Sequence, residues 1–287
     1  MTKPIIVVCG PAKLGKSSEA FKAFQNSYAI LTAENNSHYY KKLLGSKLKD
    51  NPKYRPPKRI KLIDTHTTGS TSIEYSWLKP GDAKSKRDEN GNLLPVSQKA
   101  EFELIINTLV STSLAAADKG EKPKYDNVII DELGELLDRI FNQDILPNTF
   151  NEKGKLDSRG AYVEMGKWVD DIITKLRQLV GSGVGVCMTM HDREPDGDKM
   201  GGLKTVSANI GKSIGQKVDG IVRRVIRDPM LGELGHDGKP AKPRREWELA
   251  GSEKWAIGLR GIDEDDIEEC RSKDLYEVLT TYAGFDM

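Results

Sequence analysis

The sequence predicts an α/β fold: a mostly parallel sheet with helices on both faces and antiparallel strands at a C-terminal edge. Three observations predict it. Short β-branched runs alternate with segments of helical spacing as far as residue 190. A glycine-bearing loop joins the first strand to the first helix. Two late β-rich runs, 218–227 and 245–257, have no helical pattern between them, so they pair antiparallel.

Composition narrows the function. The 287 residues carry 44 Lys and Arg against 43 Asp and Glu, a formal charge of +1, so a nucleic-acid face must come from local patches. Hydrophobic residues make up 37% and charged residues 30%, which excludes a chain too polar to fold. No apolar run reaches the roughly 18 residues of a membrane span, and the N-terminus has no leader pattern, so a cytoplasmic protein without membrane contact is expected. Cys9, Cys187 and Cys270 form no spaced set; Cys9 and Cys187 lie in apolar runs and read as buried thiols.

The first strand covers 4–9, where Ile5, Ile6, Val7 and Val8 are consecutive. A helix follows over 18–24. Residues 28–33 form the second strand, ending at Glu34, and 59–64 the third. Residues 65–97 hold Gly, Thr, Ser, Pro and a charge run over 82–92, and read as a surface loop or insertion. A helix covers 98–117, a strand 126–131, and a loop 141–160. The long amphipathic helix 161–180 repeats Val163, Trp168, Val169, Ile172, Ile173, Leu176 and Leu179 at helical spacing, and Gly181-Ser182-Gly183 stops it. Strand 184–190 ends at His191, and a polar, Gly-rich loop covers 192–209. One domain over 1–262 is expected, followed by an acidic tail over 263–287 with a short helix at 274–279.

Two motifs carry chemistry. Gly10-Pro11-Ala12-Lys13-Leu14-Gly15-Lys16-Ser17 matches G-x-x-x-x-G-K-[ST] without departure, between a strand and a helix. Its glycines let successive backbone N–H groups curl around an anion, and the helix end adds positive potential. Lys16 reaches the β- and γ-phosphates of a nucleoside triphosphate, and the Ser17 hydroxyl ligates Mg²⁺. The loop and the adjoining Ser18 are the expected nucleotide contacts; Lys13 is an extra phosphate contact or a surface lysine. The second motif is the apolar strand ending in Asp131-Glu132, which reads as a Walker B strand with Asp131 holding the metal shell.

The order of parts resembles the RecA-like recombinase core, over about residues 4–260. Thr32-Ala33-Glu34-Asn35-Asn36 resembles the block that ends in a catalytic glutamate, so Glu34 is implied as the base that activates water. His191 stands where that family places a γ-phosphate sensor, in place of the usual glutamine. The run from Gly211 into Ile221-Val222-Arg223-Arg224 resembles the closing helix and strand. The family's N-terminal filament segment has no counterpart, and the chain is similar to short RecA-like ATPases of bacteriophages that assist single-strand annealing and recombination. Lys13 and His191 fit that group. The resemblance implies a RecA-like P-loop NTPase core, ATP and Mg²⁺ as cofactors, single-stranded DNA as partner, a homo-oligomer, and a phage-infected bacterial cytoplasm. DNA would meet loops 141–160 and 192–210, through Lys153, Lys155, Arg159, Arg193, Lys199 and Lys204, although acids from Asp144 to Asp198 dilute that charge. The other basic stretches, 53–61 and 239–245, read as solvated surface.

Several alternatives stay open. Glu132, beside the Walker B aspartate, competes with Glu34 as base. His191 is a sensor or a strand-end cap. Arg260 is a trans-acting finger reaching a neighbour's γ-phosphate, or a surface arginine facing the acidic tail. A helicase loader or packaging motor, a small-molecule kinase, or a nucleotide-switched binding module are the competing functions.

Overall fold

The computed structural model describes residues 3–32, 97–196, 200–229, 233, 239, 241–252 and 255–287, and the backbone of 59–62, 71–76, 79–80 and 84–85. Strand β1 (Ile5–Cys9) is buried on both faces, as a central parallel strand must be. Ile5 and Val7 enter one apolar cluster, Ile6 and Val8 the other, which is the period-2 alternation of a strand between two helical layers.

Helix α1 (Lys16–Ala23), β2 (Ser27–Leu31), β3 (Arg59–Leu62), β4 (Thr71–Ser76), β5 (Lys79–Pro80) and β6 (Lys84–Ser85) follow. Next come α2 (Gln98–Asp118), β7 (Asn127–Asp131), α3 (Leu133–Ile140), α4 (Ser158–Gly181) and β8 (Gly185–Thr189). A small hairpin, β9 (Asp192–Arg193) with β10 (Gly202–Leu203), leads to α5 (Ala208–Lys217). The chain ends in β11 (Gly220–Arg227), β12 (Arg244–Glu248), β13 (Gly258–Leu259), α6 (Ile267–Cys270) and α7 (Leu275–Glu277).

The main sheet runs β12-β11-β1-β8-β7-β2-β3-β4-β5. The stretch from β11 to β3 is parallel throughout. The expected antiparallel edge is present: β12 and β13 both pair antiparallel with β11. A second antiparallel edge stands at the other end, where β4 pairs with β3 and takes β5 and β6 beyond it. The sequence expects a loop over 65–97, and three short strands lie within that span. Strand β8 sits between β1 and β7, so the carboxyl ends bearing the loop, His191 and Asp131-Glu132 stand in a row.

Helices α2 and α4 start at side-chain caps. The Ser97 hydroxyl accepts from Ala100 N at 3.1 Å, and Asp157 Oδ1 accepts from Gly160 N at 2.9 Å. Their apolar faces pack with α3 and α5 on one side of the sheet: Phe102, Ile106 and Leu109 from α2, and Met165, Ile172 and Leu176 from α4. Val163 departs from the expected stripe and is 54% exposed, because it points away from the face on which Ala161 and Met165 enter the buried cluster. The 141–160 loop is also corrected: α3 runs on into a wide turn at Phe141–Ile145 and a tight one at Leu146–Asn148. Within 245–257 only the first residues are strand, and Gly258–Leu259 rejoins the sheet separately.

The opposite face is covered by α1 and by the C-terminal residues. Cys270, Leu275, Val278, Leu279 and Phe285 share one buried cluster with Ala20, Phe21, Phe24 and Trp247. Trp247 N donates to Arg271 O at 2.9 Å, and its indole Nε1 to Lys273 O at 3.1 Å. The acidic residues of 263–269 therefore line the outside of a segment whose inner face is core. Cys9, Cys187 and Cys270 are free and buried, as the apolar runs around the first two require.

Candidate active site

The loop of residues 10–17 is curled, as an anion cradle demands. Gly10 has φ +139° and lies against the backbone of β11: a Cβ there would come within 2.4 Å of the Arg224 carbonyl oxygen. Lys13 and Gly15 also take positive φ, +65° and +85°. Gly15 occupies the N-cap of α1 and brings no side-chain acceptor, so first-turn amides face the loop interior for a ligand to use. Pro11, Ala12 and Lys13 are exposed, while Leu14 turns its side chain into the protein and offers only backbone.

Lys16 is buried, and its ammonium donates to the carbonyl oxygens of Gly10 and Pro11, each at 3.0 Å. The same Nζ lies 3.5 Å from His191 Nδ1 and 3.8 Å from Glu132 Oε1. Facing an ammonium, Nδ1 can only accept, which leaves the imidazole proton on Nε2. That nitrogen stands 3.3 Å from Glu132 Oε2. Among the described residues Oε2 is a buried oxygen with no hydrogen-bond partner of good geometry. The three side chains, from the start of α1 and the carboxyl ends of β7 and β8, thus form a triangle over the loop.

Glu132 is held there by backbone. It has φ +61° and ψ +48°, a left-handed conformation that costs a non-glycine residue about 1–2 kcal/mol. Threonines on both neighbouring strands oppose that cost. Glu132 N donates to Thr189 Oγ1 at 2.9 Å, and Thr32 Oγ1 lies 2.7 Å from the carbonyl oxygens of both Asp131 and Glu132. Thr189 Oγ1 donates onward to Asp131 Oδ1 at 2.6 Å, fixing the rotamer of that buried carboxylate. Arg139 donates to Thr32 O and, through Nε, to Gln98 Oε1 at 3.0 Å, which ties α3 to the end of β2.

Electrostatics follow from this burial. The Glu132 carboxyl is pushed up to about 7, chiefly by desolvation and then by the Asp131 charge, with Lys16 pulling the other way. His191 is lowered, first by burial and then by Lys16, so its imidazole is neutral at pH 7. The carboxyl thus titrates near neutral pH, as a general base for water requires.

The hard oxygen donors Ser17 and Asp131 suit Mg²⁺. Among the described residues, Glu132, Glu135 and His191 also bring ligand-type atoms within 4.8 Å of one another. That set adds a nitrogen, which Mg²⁺ does not favour.

Glu34 lies outside the described residues, as do Lys199 and the basic stretch before 59. Arg260 stands away from the loop: β13 pairs with the amino-terminal end of β11, and Arg260 Nη1 lies 3.3 Å from Asp219 Oδ1 with the side chain 75% exposed. Sequence reasoning misses Thr32, Thr189 and Arg139. Thr189 had a signal: a hydroxyl inside the apolar run Val186-Cys187-Met188-Thr189-Met190 must find a buried partner.

No helix among the described residues is long and apolar enough to cross a membrane. A search of curated proteins finds no match to the chain. The profile of the family described as AAA domain matches residues 2–230, from β1 through β11. With its phosphate loop and Walker B strand in their expected places, the chain belongs to the AAA domain family of P-loop ATPases.

Proposed function

We propose that the protein hydrolyses ATP with Glu132 as the water-activating base and uses the cycle to act on single-stranded DNA as a homo-oligomer. The observation that carries the chemistry is the Lys16–Glu132–His191 triangle. Lys16 neutralises the β- and γ-phosphates, Ser17 and Asp131 hold Mg²⁺, and the loop amides cradle the phosphate tail. Bound Mg²⁺ supplies charge neutralisation across the phosphates. A γ-phosphate draws the Lys16 ammonium off the Gly10 and Pro11 carbonyls, and that movement breaks its contacts with His191 and Glu132. Glu132 is then released to orient water, and His191 reads the phosphate.

The DNA reading rests on where α3 and the 192–207 loop lead. Helix α3 starts at Glu132 and continues to a small hairpin where Phe150 bridges Leu156. Phe150 is 56% exposed and flanked by exposed Lys153 and Lys155, a stacking ring beside cations. The loop after His191 presses on the start of α3: a Cβ on Gly134 would meet Lys204 O at 2.7 Å. The loop at Lys204 thus joins His191 to the start of α3, since Lys204 N also donates to His191 O at 2.9 Å, and the hairpin continues from the far end of that helix. ATPase rate with and without single-stranded DNA tests this. Stimulation that Phe150→Ala and Lys153→Ala reduce is expected; no binding at low salt and no stimulation would refute the DNA role.

The placement of Glu132 also favours a second reading, a helicase loader or packaging motor of the AAA type. That reading predicts ATP turnover unaffected by single-stranded DNA alone. In either case Arg260, exposed and paired with Asp219, is available to a neighbouring protomer's nucleotide.

A further inference from the structure

The site described above lies to one side of β1, on β8 and β7. On the other side, β11 and β12 bring two arginines to the same loop. Arg245 on β12 is exposed, and its Nη1 would lie 3.3 Å from a Cβ on Gly15. Arg224 on β11 is stacked on the Trp247 ring, with its guanidinium carbon 4.3 Å from the centroid. Its Nε and Nη1 are buried and meet no acceptor among the described residues. Buried guanidinium donors without acceptors are costly, and desolvation with the nearby Arg245 charge disfavours the Arg224 cation further. Glu19 and Glu246 are close enough to offset part of this, but Glu19 Oε1 is bonded to Lys22 at 2.8 Å and Glu246 is paired with Arg244 and Arg227. Among the described residues no acceptor bonds Arg224 Nε or Nη1, so the guanidiniums beside the phosphate loop suit an anionic ligand.

Strand order says which anion. Asp131, Glu132 and His191 would place the metal and the γ-phosphate on the β8–β7 side. The arginines stand on the β11–β12 side, so they face the other end of the nucleotide. We propose that Arg245, supported by Arg224, binds the α-phosphate of the nucleotide and makes affinity depend on a nucleoside diphosphate or triphosphate in place of inorganic phosphate. This rests on the nucleotide reading of the loop. Arg245 is the contact; Arg224 is the positioning residue, fixed by Trp247 and adding charge behind it.

Equilibrium binding of Mg-ADP and of a non-hydrolysable Mg-ATP analogue to the full chain tests the inference. First, binding to the unaltered protein and its loss in Lys16→Ala test the loop itself; no binding by the unaltered protein overturns both readings. Then Arg245→Ala is expected to weaken ADP and the ATP analogue by the same factor, roughly tenfold, the size of one charge-assisted hydrogen bond. Arg245→Lys, which keeps charge on an exposed strand position, should recover part of that loss. Arg224→Lys should weaken both ligands by a smaller common factor, and thermal unfolding confirms that each variant is folded. Unchanged affinity in Arg245→Ala overturns the inference, as does a loss confined to the ATP analogue, which would place the arginine at the γ-phosphate.

Discussion

Each residue in the Lys16–Glu132–His191 triangle has its own measurable consequence. Lys16→Ala removes the ammonium that neutralises the phosphates, and turnover should fall at least a hundredfold with nucleotide affinity. If Glu132 acts ionised, kcat/KM falls as pH drops through about 7, tenfold per pH unit below it. A base of ordinary carboxylate pKa would show no such fall above pH 5. The same shift has a stability sign. The folded state holds a proton on Glu132 that the unfolded chain releases near pH 4.5, so this group lowers stability as pH rises from about 4.5 to 7. Glu132→Gln should therefore stabilise the fold at pH 8 by on the order of 3 kcal/mol at most, read as a higher Tm, and by less than about 1 kcal/mol at pH 5. Lys16 and Asp131 were legible because their motifs are local in sequence. The partners of the two threonines were not, because they lie about 58 and 100 positions away and only the sheet brings them together, even though Thr189 itself signals a buried partner.

At the scale of elements, periodicity located most helices and strands. It failed where the pattern was weak or the covering element was distant. The 65–97 span has turn-rich composition, yet it adds strands because β3 offers an open edge to pair with. The stretch after Ile140 kept its helical course because Phe141 and Ile145 stay buried in the same cluster. The C-terminal residues read as an acidic tail because charge outnumbers their apolar positions, but those positions fall on one face. Leu279→Ala tests this: removing a fully buried leucine should cost about 2–5 kcal/mol, seen as a lower denaturant midpoint. A solvated tail would lose almost nothing.

For the whole molecule, the sheet order explains why one end of the strands gathers the chemistry. Inserting β8 between β1 and β7 lets a single neutral histidine touch both the phosphate-loop lysine and the carboxylate after the Walker B aspartate. The parallel sheet and its loop were legible from sequence; the sequence leaves Glu34 and Glu132 both open as the base, and of the two only Glu132 lies among the described residues, 3.8 Å from Lys16. If Arg260 acts between protomers, specific ATPase activity rises with protein concentration, and Arg260→Ala abolishes the rise; a flat profile denies the trans role. The most direct measurement is steady-state ATP hydrolysis by Glu132→Gln and Glu34→Gln, with nucleotide binding measured on the same samples. Loss of turnover with binding kept in Glu132→Gln, and turnover remaining in Glu34→Gln, is the predicted result. Full turnover in Glu132→Gln would contradict the assignment.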